Sequence, residues 1–279
     1  MNLKNIIAGI LVIGVIVIVI LLIGKFSNAK PEENLNIYFF NVGKADSTLI
    51  YNDNFAVLID TGEKETAPVI LKYLNDHQII KLDYLIITHF DKDHVGGASR
   101  IINQVEVNSI ITSNYKKNSD EYNDYIKAIN DKHIIPLIMK EDYKFSYGRA
   151  AFTVNFPKEK EYAKKASNNS SLIVSLMFGN TKYLFMGDAM ELRIAEYLKI
   201  NSTEYDLIKI PYHGKELENS ENYISTYKPK YAIITSSKEE EKDNKKLIKI
   251  LDKYDTKSYL TYNGAILVTT NGINIKVKQ

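Results

Sequence analysis

The stretch THFDKDHVGG at residues 88–97 constrains this chain more than any other. It sets His89, Asp91, Asp93 and His94 within six positions. The preceding YLIITH reads as a short buried strand and the following VGGASRIINQ as a helix, so the four side chains fall in a strand-to-helix loop. Such loops are where α/β folds put binding groups. Two carboxylates and two imidazoles crowded there repel one another unless a divalent cation reverses the balance. The imidazoles then bind unprotonated and the carboxylates as anions. The plainer reading is a polar loop in which Asp91 and Asp93 cap the helix, which explains one carboxylate better than all four groups. The spacing is not the helical H-E-x-x-H pattern of a zincin-type protease. With no cysteine in the chain, disulfides are excluded and a metal must use His, carboxylate and water.

Two further stretches repeat the design of an apolar strand that delivers a donor at its C-terminal end. FMGD ends on Asp188, and IPYHG carries His213. Around them, IYFFNV, STLIY, FAVLID, SIITSN, AAFTVNFP and YAIITS read as strands. SSLIVSLMF and TKYLFMGD read as a hairpin across a Gly-Asn turn. Helices are predicted at ETAPVILKYLNDH, with Val69, Ile70, Tyr73 and Leu74 at helical spacing, at SDEYNDYIKAIND behind a Ser/Asp cap, at MELRIAEYLK and at DNKKLIKILDKY. The mixture predicts an α/β layered domain with mixed sheets. His77 and His133 sit outside the motifs and read as ordinary surface or structural residues. The charged run KEEEKDNKK reads as a solvated helix start without a role.

Taken together these segments resemble the metallo-β-lactamase superfamily, in the branch that includes the soluble hydrolase domain of ComEC competence DNA-uptake proteins. The resemblance runs in order through NVGKADSTLI, VLIDTG, THFDKDHVGG, NNSSLIVSL, YLFMGD, IKIPYHG and GAILVTT. It implies a four-layer αββα sandwich with one or two divalent metal ions, zinc or manganese, at the sheet edge. Carried over by residue, it makes His89 and Asp91 ligands of a first metal, and Asp93, His94 and His213 ligands of a second. Asp188 matches the carboxylate that bridges them. Asp46 and Asp60 match groups that orient ligands, and Asn169 and Ser171 a polar stretch that contacts substrate. Asp93 is also placed to accept a proton from the attacking water. The chain departs from the family pattern at Lys44 and Ala45, where relatives often carry Gln and Gly. YHGK stands where HHGS is common, which brings in Tyr212 and Lys215, and the third His of the lactamases proper is missing. Lys44 and Lys215 read as holders of an anionic substrate such as a phosphate.

Residues 6 to 24 carry no ionisable side chain and are almost wholly aliphatic. As a helix they extend about 28 Å, close to the hydrocarbon thickness of a bilayer. An uncleaved transmembrane anchor is the first reading, and a signal peptide cut after Ala29 the second. The expected organisation is therefore an anchor over 1–25, a polar linker over 26–35 and a hydrolase domain over 36–279. An anchor followed by one long domain most simply places that domain outside the cytoplasm, with the chain in the cell membrane by a single pass. One span does not build a pore, so DNA transport itself is not assigned. Of the 36 basic side chains, all but Lys4 and Lys25 lie after residue 26, and those 34 match the 34 acidic ones. A globally basic nucleic-acid surface is thus absent, while a local patch stays open. The expected activity is metal-dependent hydrolysis of a phosphodiester in DNA or in a wall polymer. The alternatives are a lactamase- or lactonase-type carbonyl hydrolase and a metal-binding module without turnover.

Overall fold

The first strand alternates as its sequence demands, with Leu35, Ile37 and Phe39 facing one core and Tyr38 another. In the computed structural model, which describes residues 34–159 and 162–279, the same alternation runs through two mixed sheets. The strands in chain order are β1 (Leu35–Phe39), β2 (Thr48–Asn52), β3 (Phe55–Ile59), β4 (Lys81–Ile87), β5 (Glu106–Thr112), β6 (Leu137–Ile138), β7 (Tyr143–Tyr147), β8 (Ala150–Asn155), β9 (Ile173–Phe178), β10 (Thr181–Phe185), β11 (Leu207–Lys209), β12 (Tyr231–Ile234), β13 (Lys257–Leu260), β14 (Ile266–Thr270) and β15 (Ile275–Lys278). One sheet has the order β15-β14-β1-β2-β3-β4-β5-β6 and the other β13-β12-β11-β10-β9-β8-β7. The helices are α1 (Ala67–Asp76), α2 (Lys92–Val95), α3 (Ala98–Gln104), α4 (Asp120–Asp131), α5 (Ala166–Asn169), α6 (Glu191–Ile200), α7 (Ser220–Tyr227) and α8 (Glu241–Lys253).

Three apolar cores stack these elements into four layers. Between the sheets, Ile37, Phe39 and Val57 of the first pack with Phe152, Val174 and Phe185 of the second. On the outer face of the first sheet, Leu58 and Leu85 meet Ile70 and Leu74 of α1, Ile101 of α3 and Tyr125 of α4. On the outer face of the second, Leu184 and Ile208 meet Ile194, Ile224 and Leu247 of α6, α7 and α8. Each such buried side chain contributes roughly 1.5–3 kcal/mol. This is the αββα order.

Strand direction decides where the donor side chains gather. β3, β4 and β5 are mutually parallel, as are β10, β11, β12 and β13. Asp60, His89 and Ser113 follow the C-terminal ends of β3, β4 and β5, while Asp188, His213 and Thr235 follow those of β10, β11 and β12. The glycines of the decapeptide serve a close approach. A Cβ on Gly96 would stand 2.8 Å from Lys64 N, and one on Gly97 2.3 Å from Thr61 O. Without side chains there, the loop after β3 packs directly on the turn into α3, and Thr61 N donates to His94 O at 2.8 Å.

Some expectations need adjustment. The helix over 67–76 buries Ala67, Ile70 and Leu74, whereas Val69 points outward at 49% exposure. The strand over 143–147 has a weak sequence signal, because its alternating DYKFSY carries polar residues on the outward face. Thr261–Asn263 and Gly264 carry the chain from β13 in one sheet to β14 in the other. The Ser119 cap is present, its Oγ accepting from Tyr122 N at 3.2 Å. The expected membrane span lies outside the described residues, among which no helix is long and apolar enough to cross a membrane.

Candidate metal centre

The loops at the C-terminal ends of both parallel strand sets converge on Asp188. Its Oδ1 lies 3.4 Å from His94 Nε2 and its Oδ2 3.1 Å from His213 Nε2. Asp93 Oδ2 lies 3.2 Å from the same His213 nitrogen. Asp93, His94, Asp188 and His213 each offer one atom within 4.8 Å of all the others. His89 stands beside them, its ring centroid 4.1 Å from that of His94 and its Nε2 3.8 Å from Asp91 Oδ2. A surface hollow at the opposite ends of β3 and β4, lined by Phe55, His77, Lys81 and Asp83, contains none of these donors.

The donors are left open for a ligand. Nε2 of His89, His94 and His213, and Oδ1 of Asp188, are buried and make no hydrogen bond within the protein. Leaving one such atom unpartnered costs about 1–3 kcal/mol, so four in one place mark a site built for something else. Carboxylate oxygens and imidazole nitrogens fit a divalent cation.

The other nitrogen of each imidazole is tied down. Asp60 takes His94 Nδ1–H at 2.8 Å, and also accepts from Thr88 N at 2.8 Å and Thr88 Oγ1 at 2.7 Å. His213 Nδ1 donates to Thr235 O at 3.0 Å, and His89 Nδ1 lies 3.1 Å from Thr88 Oγ1 and 3.4 Å from Ser171 Oγ. These contacts orient the ligating nitrogens. Asp46 lies behind both His94 and His213, 3.8 and 3.7 Å from their Nδ1 atoms. Asp46, Asp60 and His94 also cluster, yet their acceptor capacity is used: Lys209 Nζ and Thr235 Oγ1 both bind Asp46. Asp60 and His213 hold left-handed backbone, φ 57° and 52°, a strained conformation for residues with a Cβ. Asn244 helps hold the latter, its Nδ2 donating to His213 O at 2.7 Å.

The electrostatics divide the histidines. Burial disfavours charge on His213, but Asp188, Asp93 and Asp46 outweigh it and lift its pKa to about 10. His94 is likewise raised against burial, by Asp188 and Asp60. His89 goes the other way: burial and the neighbouring His94 lower it to about 4. Burial alone would raise the acids, but the histidines hold Asp188 and Asp93 below the usual carboxylate range. Asp91 is held down in the same way by His89, Lys117 and Ser167.

The residues expected to touch substrate have partners of their own. Asn169 is buried, its Oδ1 accepting from Arg193 N at 3.0 Å and its Nδ2 donating to Lys164 O at 2.9 Å. Ser171 is buried, and its Oγ accepts from Asp188 N at 3.3 Å. Lys215 and Lys44 both reach Glu240, at 3.4 and 3.1 Å. The run that reads as a plain solvated helix start therefore supplies two buried residues, Glu240 and Asn244, to the edge of this centre.

Several contributing residues carry no role in the sequence reading. Lys209, 3% exposed, binds Asp46 and donates to Gly187 O at 3.1 Å. A lysine inside the apolar LIKI is the available signal, since a buried ammonium requires a carboxylate partner. Arg193 is fully buried and donates to Ser171 O and Asn155 O, both at 3.0 Å, which fixes the segment carrying Asn169 and Ser171. Lys117 and Ser167 both bind Asp91 Oδ1, and Asn168 Nδ2 reaches Asp188 Oδ2 at 3.3 Å. Asn168 opens the NNSSLIVSL stretch, whereas nothing in the local sequence marks Lys117 or Ser167.

Comparison with known proteins agrees with this fold. The metallo-beta-lactamase superfamily matches residues 41–234. Recombination protein 2 of Haemophilus influenzae is 28% identical over 203 residues, 71% of this chain and 24% of that protein. ComE operon protein 3 of Bacillus subtilis is 24% identical over 248 residues, 81% of this chain and 32% of that protein. The chain thus spans about a quarter to a third of these relatives' length. Among solved structures, the metallo-β-lactamase-fold protein YhfI of Bacillus subtilis superposes with a TM-score of 0.61 at 10% identity, covering 85% of this chain and 100% of that one. CmlA, a diiron β-hydroxylase from Streptomyces venezuelae, gives 0.55 at 15% identity over 86% of this chain and 54% of its own.

Proposed function

This chain belongs to the metallo-β-lactamase superfamily, and from that premise we propose that it is a metal-dependent phosphodiesterase, in the manner of a nuclease. One observation carries the reading: three carboxylates, Asp91, Asp93 and Asp188, meet three imidazoles whose open nitrogens are buried and unpartnered. An even mixture of carboxylate and imidazole donors suits zinc or manganese, and either cation pairs with phosphate oxygens. Of the relatives, Recombination protein 2 is by its name a protein of recombination, which is in keeping with a nucleic-acid phosphodiester.

In this reading Asp93, His94, Asp188 and His213 would hold one ion, and His89 and Asp91 would hold another beside it. An ion bound there supplies a Lewis acid for phosphoryl oxygen and lowers the pKa of bound water. Asp93, the most exposed carboxylate of the quartet, accepts the proton of the attacking water. Asp60 and Thr235 keep His94 and His213 in the tautomers that present Nε2. Asn168 orients Asp188. Lys215 stands at the rim as a further contact for the anionic substrate. Residues 1–25 act as a single-pass membrane anchor, the residues after them as a linker, and the remainder, in which Leu35 already opens β1, as an extracytoplasmic hydrolase domain.

The test is turnover of bis(p-nitrophenyl) phosphate and of nitrocefin with Mn²⁺ or Zn²⁺. Metal-dependent hydrolysis of the diester alone is expected. Hydrolysis of nitrocefin alone would replace the reading with carbonyl chemistry. Bound metal with no turnover of either would replace it with a binding module.

A further inference from the structure

The rim of the centre has two banks that differ in charge. On one, Lys44 stands two residues before Asp46 and Lys215 two residues after His213. Both are answered within the fold by Glu240, and Lys215 also by Asp243 at 3.5 Å. On the other bank two loops meet over Asp91. The loop after β5 brings Lys117 and the segment into α5 brings Ser167, both onto Asp91 Oδ1. Residues 113–119 and 162–169 contain Lys116, Lys117, Lys164 and Lys165 and no acidic side chain. Lys117 is engaged by Asp91. Lys116, Lys164 and Lys165 are exposed and have no carboxylate partner among the described residues. Tyr115, next in the chain to Lys116, is half-buried and makes no ring contact among those residues.

Composition does not explain this. From residue 26 onward the chain carries as many acids as bases, and the neighbouring centre is crowded with carboxylates. Three exposed ammonium groups with no carboxylate partner among the described residues, in loops that meet at Asp91, attract an anion that extends beyond a single diester. A strand with phosphates on either side of the scissile one offers them that charge. An aromatic face among the cations adds a platform for a base, the combination that binds single strands without sequence preference.

We propose that Lys116, Lys164, Lys165 and Tyr115 form a subsite that tracks a single-stranded nucleic acid leaving the centre on the Asp91 side. The inference rests on the phosphodiesterase reading and adds to it the polymer and the side on which it lies. The ammonium groups meet flanking phosphates and the tyrosine ring stacks under a base.

The experiment measures fluorescence anisotropy of a labelled single-stranded oligonucleotide with the full-length protein in detergent, with EDTA present to prevent turnover. The triple variant Lys116→Ala, Lys164→Ala, Lys165→Ala raises Kd about tenfold or more and lowers the slope of log K against log salt by about 2, since each single-strand phosphate contact contributes roughly 0.7. Tyr115→Ala weakens binding without changing that slope. A charge-matched control, Lys144→Ala, Lys276→Ala, Lys278→Ala, taken from exposed strand positions, leaves Kd and slope as they were. In turnover, the triple variant lowers the ratio of kcat/KM for the oligonucleotide to that for bis(p-nitrophenyl) phosphate. An unchanged Kd and slope in the triple variant overturns the subsite, as does a base-free polyol phosphate that binds as tightly as the oligonucleotide. If the small diester is hydrolysed and Kd is unmoved, the subsite falls alone. If the small diester resists hydrolysis while the binding arm behaves as described, the subsite stands and the phosphodiesterase reading falls.

Discussion

The quartet around Asp188 and the neighbouring pair, His89 and Asp91, are prepared for a cation in different ways. In the quartet, four residues from both sheets converge, and its two histidines keep their protons until a cation displaces them. In the pair, His89 is already unprotonated near neutrality, and one oxygen of Asp91 is occupied by Lys117 and Ser167. Protons on these imidazoles offset the charge of the quartet's carboxylates until a cation takes their place. The pair has a spare nitrogen and a half-used carboxylate. One loop, residues 88–97, thus feeds two positions of unequal strength, and the inequality comes from the residues packed behind each.

The largest test removes the shared donor. Asp188→Ala and His94→Ala should each cut turnover by far more than the roughly 10–100-fold expected for an orienting partner, with metal content falling and far-UV circular dichroism unchanged. Full turnover in either variant would break the assignment. Next, Asp60→Ala should weaken metal at the quartet by roughly 10–100-fold, read by titration against a competing chelator, with a smaller effect on the pair, which Asp60 reaches only through Thr88. Equal loss at both positions would erase the distinction between them.

Lys117→Met leaves Asp91 Oδ1 with Ser167 alone and removes a competing positive charge. It should tighten the weaker metal equivalent by about tenfold, well within the several kcal/mol available to unit charges a few ångströms apart. A weaker second equivalent in the variant would mean that Lys117 prepares the pair instead of opposing it. The smallest effect concerns protons. At pH 7 to 8, calorimetry in buffers of differing ionisation enthalpy should show proton release on filling the quartet and none on filling the pair. Because the folded pKa of His213 is raised, its contribution to the metal-free protein is complete below about 6.5 and is lost as pH rises through about 10. The thermal midpoint of EDTA-treated protein should therefore fall between pH 7 and 10.

The strand ends and their donors were legible because they are local: each apolar run stops at the residue that matters, as in IITH, FMGD and IPYHG. Asp46 and Asp60 came through family resemblance, and their partners His94 and Thr88 are sequence-distant. What stayed hidden is contact across the fold. Lys209 and Thr235 meet Asp46 over separations of 163 and 189 residues. Glu240 and Asn244 sit in a run that looks solvated because its other members are. Lys44 and Lys215 read as free cations, since no local pattern reveals that Glu240 folds between them. The unpaired lysines of residues 113–119 and 162–169 become visible only when both loops are seen to meet at Asp91.

The most direct measurement is a crystal of the protein soaked with Mn²⁺ and examined by anomalous scattering. A strong peak is expected about 2.0–2.2 Å from donor atoms of Asp93, His94, Asp188 and His213, and a weaker one beside His89 and Asp91. Saturating Mn²⁺ with no peak among the four quartet residues would contradict a metal centre built on Asp188.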